Sequence, residues 1–156
     1  MAIKVGAKAP SISLPDQDGK LHKLSDYLGQ WILVYFYPRD NTPGCTIEAC
    51  TIRDTFPKLE KLKAKVFGIS TDSVASHKKF AERFKLPFTL LSDEQKVVVE
   101  KYGVWAEKSM LGRKYFGILR NSYLIDPQGK IAKIYEKVKP LSHAKEVLAD
   151  LNELQK

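Results

Sequence analysis

Residues 31–37 read WILVYFY, seven apolar or aromatic side chains in succession, and the run stops at Pro38. A run of this length, closed by proline, predicts a β-strand buried on both faces at the centre of a sheet. Working toward the N-terminus, residues 11–24 carry two short apolar patches around the turn PDQDGK. Asp18-Gly19 favours a chain reversal, which predicts an N-terminal β-hairpin. Ser25 is placed to cap a short turn before Gly29.

Toward the C-terminus, the loop PRDNTPG leads into a helix expected to start near Cys45 or Thr46. Ile52, Phe56, Leu59 and Leu62 then form one apolar stripe at helical spacing. Pro57 interrupts it, so a kink or a break into two helices is expected around Thr55 to Pro57. Val66 to Ser70 predicts a strand, and Asp72 or Ser73 can cap a helix whose inner face carries His77, Phe80, Ala81 and Phe84. The Leu86-Pro87 step ends that helix. Thr89 to Leu91 is a short strand, and Asp93 is placed to cap a helix through Tyr102. Trp105 to Gly117 reads as a polar, glycine-containing loop. Ser122 to Asp126 and Lys130 to Tyr135 are strands joined by Asp126-Pro-Gln-Gly129, a type I turn pattern. Ser142 caps a last helix with Ala144, Val147, Leu148, Leu151 and Leu154 facing inward. Strands and helices alternate in the middle and the chain closes on a hairpin and a helix. The fold class is therefore α/β, a mixed central sheet flanked by helices on both faces.

The bulk properties narrow the function classes. The 156 residues suit one domain, 1–156, with a composition ordinary for a globular protein (44% hydrophobic, 28% charged). Neither a signal-peptide h-region nor a stretch of 18 apolar residues occurs, so no membrane span is expected and the cytoplasm is the expected address. The net charge of +8 comes from 21 lysines and 5 arginines, and the lysines are scattered from Lys4 to Lys156. Base readout and planar phosphate recognition favour clustered arginine, so this is a solvated basic surface and no nucleic acid is expected. A zinc site would need both cysteines and two of His22, His77 and His143, which form no ligand pair. No glycine-rich phosphate motif is present, so no nucleotide cofactor is expected. Redox chemistry or plain burial remains for the cysteines.

Cys45 stands where a central strand has ended, a proline-glycine loop has turned and a helix begins. The positive end of the helix dipole and its unpaired N–H groups favour a thiolate there, the form that attacks a peroxide oxygen. Thr42, in the same loop, can place its hydroxyl toward that spot. Cys50 follows five residues later. In an intact helix the two Cα atoms would stand about 8 to 9 Å apart at a rise of about 1.5 Å per residue. A disulfide tolerates about 7 Å. Joining the two thiols therefore requires the first helical turns to unwind. The plain alternative, two small buried hydrophobes, stays open at this point.

The stretch YFYPRDNTPGCT, residues 35–46, resembles the active-site segment of peroxiredoxins, with Pro38, Thr42 and Cys45 filling Pro-x-x-x-Thr-x-x-Cys in register. A second cysteine five residues on resembles the bacterioferritin comigratory protein, or PrxQ, branch. The segments GAKAPSISLPDQDG, GISTD, FTLLSDE, YGVW and RNSYLIDPQGK extend the likeness over nearly the whole chain. The resemblance implies a thioredoxin-like fold and thiol-dependent reduction of hydrogen peroxide and organic hydroperoxides. It implies Cys45 as the peroxidatic and Cys50 as the resolving cysteine. It also implies Thr42 and Arg120 as the groups holding thiolate and peroxide oxygens, and Pro38 as a shield of the pocket. Thioredoxin or a similar dithiol protein is the implied reductant, no cofactor is required, and a monomer or weak dimer is implied. Lys108, Arg113 and Lys114 could help dock an acidic reductant, although a solvated loop explains them equally well. Three rivals remain: a one-cysteine peroxidase, a general disulfide oxidoreductase, and a basic binding module with an incidental thiol.

Overall fold

The computed structural model describes residues 3–156. In chain order the elements are β1 (Ser13–Pro15), β2 (Leu21–Lys23), a 3-10 turn (Leu24–Tyr27), β3 (Trp31–Phe36), α1 (Pro43–Lys61), β4 (Ala64–Ser70), α2 (Val74–Phe84), β5 (Thr89–Ser92), α3 (Val97–Lys101), β6 (Trp105–Met110), β7 (Arg113–Ile118), β8 (Ser122–Ile125), β9 (Ile131–Tyr135) and α4 (His143–Leu154). A five-stranded sheet runs β5-β4-β3-β8-β9, with β3 in the middle. β3 pairs parallel with β4 and antiparallel with β8, so the sheet is mixed, as the sequence predicts.

Side chains of a strand alternate between faces, and both faces of β3 are used. Ile32, Val34 and Phe36 enter one core, with Leu14 and Leu24 from the N-terminal hairpin region and Val98, Val99 and Tyr102 around α3. Leu33, Tyr35 and Tyr37 enter the other, packed against Ala49, Ile52 and Leu59 of α1, Phe80 of α2, and Val147 and Leu151 of α4. Each fully buried side chain of this size contributes about 1.5 to 3 kcal/mol. Nothing in β3 beyond Trp31 reaches solvent.

Several local expectations are corrected. The stretch from Trp105 to Gly117 is no loop: β6 and β7 form an antiparallel hairpin from Trp105↔Ile118 to Met110↔Arg113. Its reversal is Leu111-Gly112, both at positive φ (53° and 79°), a two-residue turn that matches strand twist. α1 does not break at Pro57 but continues for 19 residues. Pro57 lies on the exposed side of α1, while Ile52 and Leu59 hold both halves of the helix on one core. Ser25 lies inside the 3-10 turn and caps nothing. α3 is shorter than expected and follows Lys96 at positive φ; Asp93 serves it from a distance, its Oδ2 accepting the Val99 N–H at 2.8 Å. Ser142 makes no side-chain cap to α4, and Leu154 is exposed at the helix end. Ser73 does cap α2, accepting the Ser76 N–H.

No helix among the described residues is long and apolar enough to cross a membrane.

Candidate active site

α1 opens with Pro43 at its first helical position, one residue after the Thr42 N-cap, so Cys45 lies within the first turn rather than before it. The first i→i+4 bond of the helix runs from the Thr46 N–H to the Thr42 carbonyl at 2.9 Å. The Cys45 N–H is therefore among the amides that a helix start leaves without an intrahelical acceptor. Cys45 is 1% exposed and its neighbours come from a distant part of the chain. Arg120 Nη2 stands 3.3 Å from the Cys45 Sγ, across 75 residues of sequence.

The sheet puts Arg120 there. Residues 119–121 form a short strap between β7 and β8. The Leu119 N–H donates to the Val104 carbonyl, the Phe36 N–H donates to the Asn121 carbonyl, and the Val138 N–H donates to the Arg120 carbonyl, all within 3.0 Å. The guanidinium then lies over the first turn of α1, and Gly44 permits the approach. A Cβ at Gly44 would stand 2.6 Å from Arg120 Nη2 and 3.3 Å from its Cζ.

Glu48, one turn below Cys45, is fully buried, with Oε1 3.4 Å from Arg120 Nη1. Its Oε2 has no hydrogen-bond partner among the described residues. Burial pushes the Glu48 carboxyl up to about 7, with the Arg120 charge opposing the shift. A carboxylate at this separation holds Arg120 loosely. Lys108 of β6 adds a second cation: its Nζ donates to the Ile118 carbonyl at 2.6 Å. Burial lowers the Lys108 ammonium, the Arg120 charge lowers it further, and Cys45 acts the other way, so the ammonium stands within the electrostatic reach of both.

The other residues singled out in the sequence are placed as follows. The Thr42 hydroxyl donates to the Arg39 carbonyl at 3.0 Å, closing the loop on itself rather than reaching Cys45. Pro38 is half-buried just past the end of β3. Cys50 is half-buried on α1, about one and a half turns from Cys45 at roughly 3.6 residues per turn, and both thiols are free. Trp105 stacks on Phe116, and Trp31 packs against the helix-side core. Arg113 and Lys114 are exposed on the hairpin, and Lys114 faces Glu107 at 3.8 Å.

Glu48, Gly44 and the approach of Lys108 were not anticipated. For Glu48 a signal existed: at i+3 from Cys45 and four before Ile52, it falls within the buried stripe of α1, where a carboxylate is out of place.

Comparison with known proteins gives the family. Residues 5–134 match the model of the AhpC/TSA family. The peroxiredoxin Bcp of Escherichia coli K12 is 50% identical over 151 residues, 97% of each chain. That of Bacillus subtilis is 44% identical over 154 residues, 99% of this chain and 98% of the other. Among solved structures, a cysteine-to-serine mutant of Xylella fastidiosa PrxQ superposes with a TM-score of 0.94 at 33% identity, covering 100% of this chain and 99% of that one. The Xanthomonas campestris bacterioferritin comigratory protein gives 0.91 at 34% identity, covering 98% of this chain and 100% of the other. The chain has the thioredoxin-like α/β fold of these proteins and belongs to the AhpC/TSA family, on its peroxiredoxin Bcp or PrxQ branch of thiol-dependent peroxidases.

Proposed function

We propose that Cys45 is the peroxidatic residue of this peroxidase, Cys50 the resolving one, and thioredoxin or a similar dithiol protein the reductant. The observation that carries the reading is the Arg120 guanidinium 3.3 Å from a buried cysteine in the first turn of a helix. The Cys45 thiolate attacks the distal oxygen of ROOH, the O–O bond breaks, and Cys45 becomes a sulfenic acid. The leaving alkoxide takes up a proton and departs as alcohol, or as water when R is hydrogen. Arg120 and the free amides of the helix start stabilise the negative charge as it moves to the leaving oxygen. Thr42 acts in this scheme by shaping the loop through its bond to Arg39, and Pro38 by covering the pocket.

The sulfenic acid is then displaced by Cys50, water leaves, and a Cys45–Cys50 disulfide forms. The helical separation of the two residues requires the start of α1 to unwind for that step. The dithiol reductant restores both thiols and carries the disulfide away. This chemistry needs no metal, haem or flavin, and it suits a reducing compartment, the cytoplasm. The alkyl peroxide reduction activity of the Xanthomonas campestris relative supports organic hydroperoxides as substrates beside hydrogen peroxide.

A single turnover tests the scheme. Reduced protein is mixed with one equivalent of hydrogen peroxide, and intact mass is followed with thiol trapping. Loss of two hydrogens is expected, abolished in Cys45→Ser, with sulfenic acid accumulating in Cys50→Ser. Oxidation no faster than that of an ordinary free thiol would overturn the assignment of Cys45. Normal thioredoxin-driven turnover by Cys50→Ser would convert the scheme to a one-cysteine mechanism.

A further inference from the structure

Two residues before the N-cap of α1, Asp40 carries a dense set of polar contacts. Its N–H donates to Asp72 Oδ2 at 2.8 Å, and that oxygen also accepts from the Ser70 hydroxyl at 2.7 Å. The Tyr37 hydroxyl donates to Asp40 Oδ1 at 2.6 Å and the Ser76 hydroxyl to Oδ2 at 2.8 Å. His77 Nδ1 lies 2.7 Å from Oδ2, and the two side chains are 0% and 1% exposed. The second ring nitrogen of His77, Nε2, is 2.9 Å from the Leu91 carbonyl.

A carbonyl only accepts, so Nε2 carries a hydrogen, and the Nδ1 contact then needs a proton of its own shared with Asp40. Such a bond, buried away from water, is among the strong ones. Asp40, Asp72 and His77 also bring possible ligand atoms within 4.8 Å of one another. Both oxygens of Asp40, both ring nitrogens of His77 and Oδ2 of Asp72 are engaged by the bonds just described, and we read the cluster as a clamp. It ties one loop residue to the end of β3, the end of β4, the start of α2, and β5.

The next residue, Asn41, sits at φ 62°, a pivot conformation for a residue with a side chain. On the far side of the two cysteines, the single hydrogen of the Thr51 hydroxyl is shared between the carbonyls of Glu48 at 2.9 Å and Pro140 at 3.1 Å, and Ile52 is wholly buried. The two cysteines lie between these two anchored points.

We infer that the Asp40–His77 pair is a positioning clamp that sets the upstream limit of unwinding when Cys45 and Cys50 join, with Thr51 and Ile52 as the downstream limit. The inference rests on the disulfide proposed above. Local opening follows cooperative units bounded by the better-anchored residues, and here the unit is 41–50. With the upstream post fixed, Pro38 and Arg39 keep their places, and Cys45 can return to Arg120 after each reduction. Without it, the opening reaches back into the loop and the site is assembled for a smaller fraction of the time.

The test compares wild type, an Asp40→Ala/His77→Leu double variant, and the milder Tyr37→Phe. Stopped-flow fluorescence resolves the peroxide reaction from disulfide closure, and hydrogen exchange maps opening in the oxidised state. In wild type, oxidation is expected to deprotect 41–50 and to leave 37–40 and the start of α2 protected. In the double variant, deprotection should extend through 37–40. Its peroxide reaction should slow about tenfold, the worth of one charge-assisted bond, while closure does not slow. Tyr37→Phe should shift both readouts the same way by a smaller factor. Variants that melt earlier but keep the wild-type rates and boundary would overturn the clamp. If wild type itself forms no Cys45–Cys50 disulfide, the proposed function falls and the clamp with it. If the disulfide forms and the boundary ignores these substitutions, the clamp alone falls.

Discussion

Gly44 decides how closely Arg120 can approach Cys45, because a methyl group there would meet Nη2 at 2.6 Å. The clash is with the end of a flexible side chain and not with backbone, so the guanidinium gives way while the fold stays. Gly44→Ala should therefore lower kcat/KM for hydrogen peroxide by about a hundredfold to a thousandfold, the scale of losing one aligned charge-stabilising donor. The melting temperature should barely move. Unchanged kcat/KM would mean that Arg120 does not act from its observed position. Glu48 gives a second test at this scale. Its folded value of about 7 stands above the ordinary 4.5 because of burial, so between those pH values the folded state holds a proton that the unfolded state releases. Stability from this group is thus present below 4.5 and is lost as pH rises to 7. The loss is of order 3 kcal/mol at about 1.36 kcal/mol per unit. Glu48→Gln should be more stable than wild type at pH 8 in urea titrations, with the difference closing by pH 4.5. A difference independent of pH would remove the buried carboxyl from the account. The cysteines and Arg120 were legible as residue types in a motif. The loop-closing bond of Thr42 was not, because it depends on which way a side chain turns at the helix start, and the burial of Glu48 was marked only by its place in the apolar stripe of α1.

α1 illustrates where a local rule meets tertiary context. Proline in a helix interior removes one hydrogen bond and crowds the preceding turn, which is why a break was expected at Pro57. The break does not occur, since Pro57 is exposed and the apolar stripe on the other side, Ile52 and Leu59, is fully buried. Pro57→Ala restores a donor to the Arg53 carbonyl and should stabilise the fold by about 1 to 3 kcal/mol, read as a higher urea midpoint with unchanged slope. Because Pro57 lies beyond Thr51 and Ile52, the rate of disulfide closure should stay as in wild type. A clear slowing would show that the opening runs further down α1 than its anchors imply. The β6–β7 hairpin was missed for the opposite reason. Its outer part touches no core, with Met110, Leu111 and Phe116 exposed, so neither face shows apolar alternation. Only Gly112 marked the turn, and leucine before it carries no hairpin preference. By contrast β3, whose both faces are covered, was readable from its seven apolar letters alone.

Across the whole molecule, the order of elements was largely readable, but what joins them was not. Arg120 meets Cys45 over 75 residues only because β8 inserts beside β3 instead of following β5 at the sheet edge, and a linear pattern does not encode that neighbour choice. The same placement seats α4. His143 at its start lies 2.9 Å from the Ser122 hydroxyl of β8 through Nε2, and 3.2 Å from Glu146 through Nδ1. Burial lowers the His143 imidazole below its ordinary 6.5, and the Glu146 contact only partly opposes that. With the folded value depressed, the unfolded chain takes up a proton near 6.5 that the folded chain resists. This share of stability is therefore full above 6.5 and declines as pH falls below it. His143→Gln keeps a polar group toward Ser122 but does not titrate. The stability gap between wild type and this variant should be widest at pH 7.5 and narrow by pH 5.5, measured by urea unfolding at each pH. Glu48 is common to both proteins, so its opposite pH slope cancels in the difference. A gap that stays constant would mean that α4 is held by its apolar face, Ala144, Val147 and Leu151, and that the buried imidazole is a passenger in the seat rather than part of what fixes it.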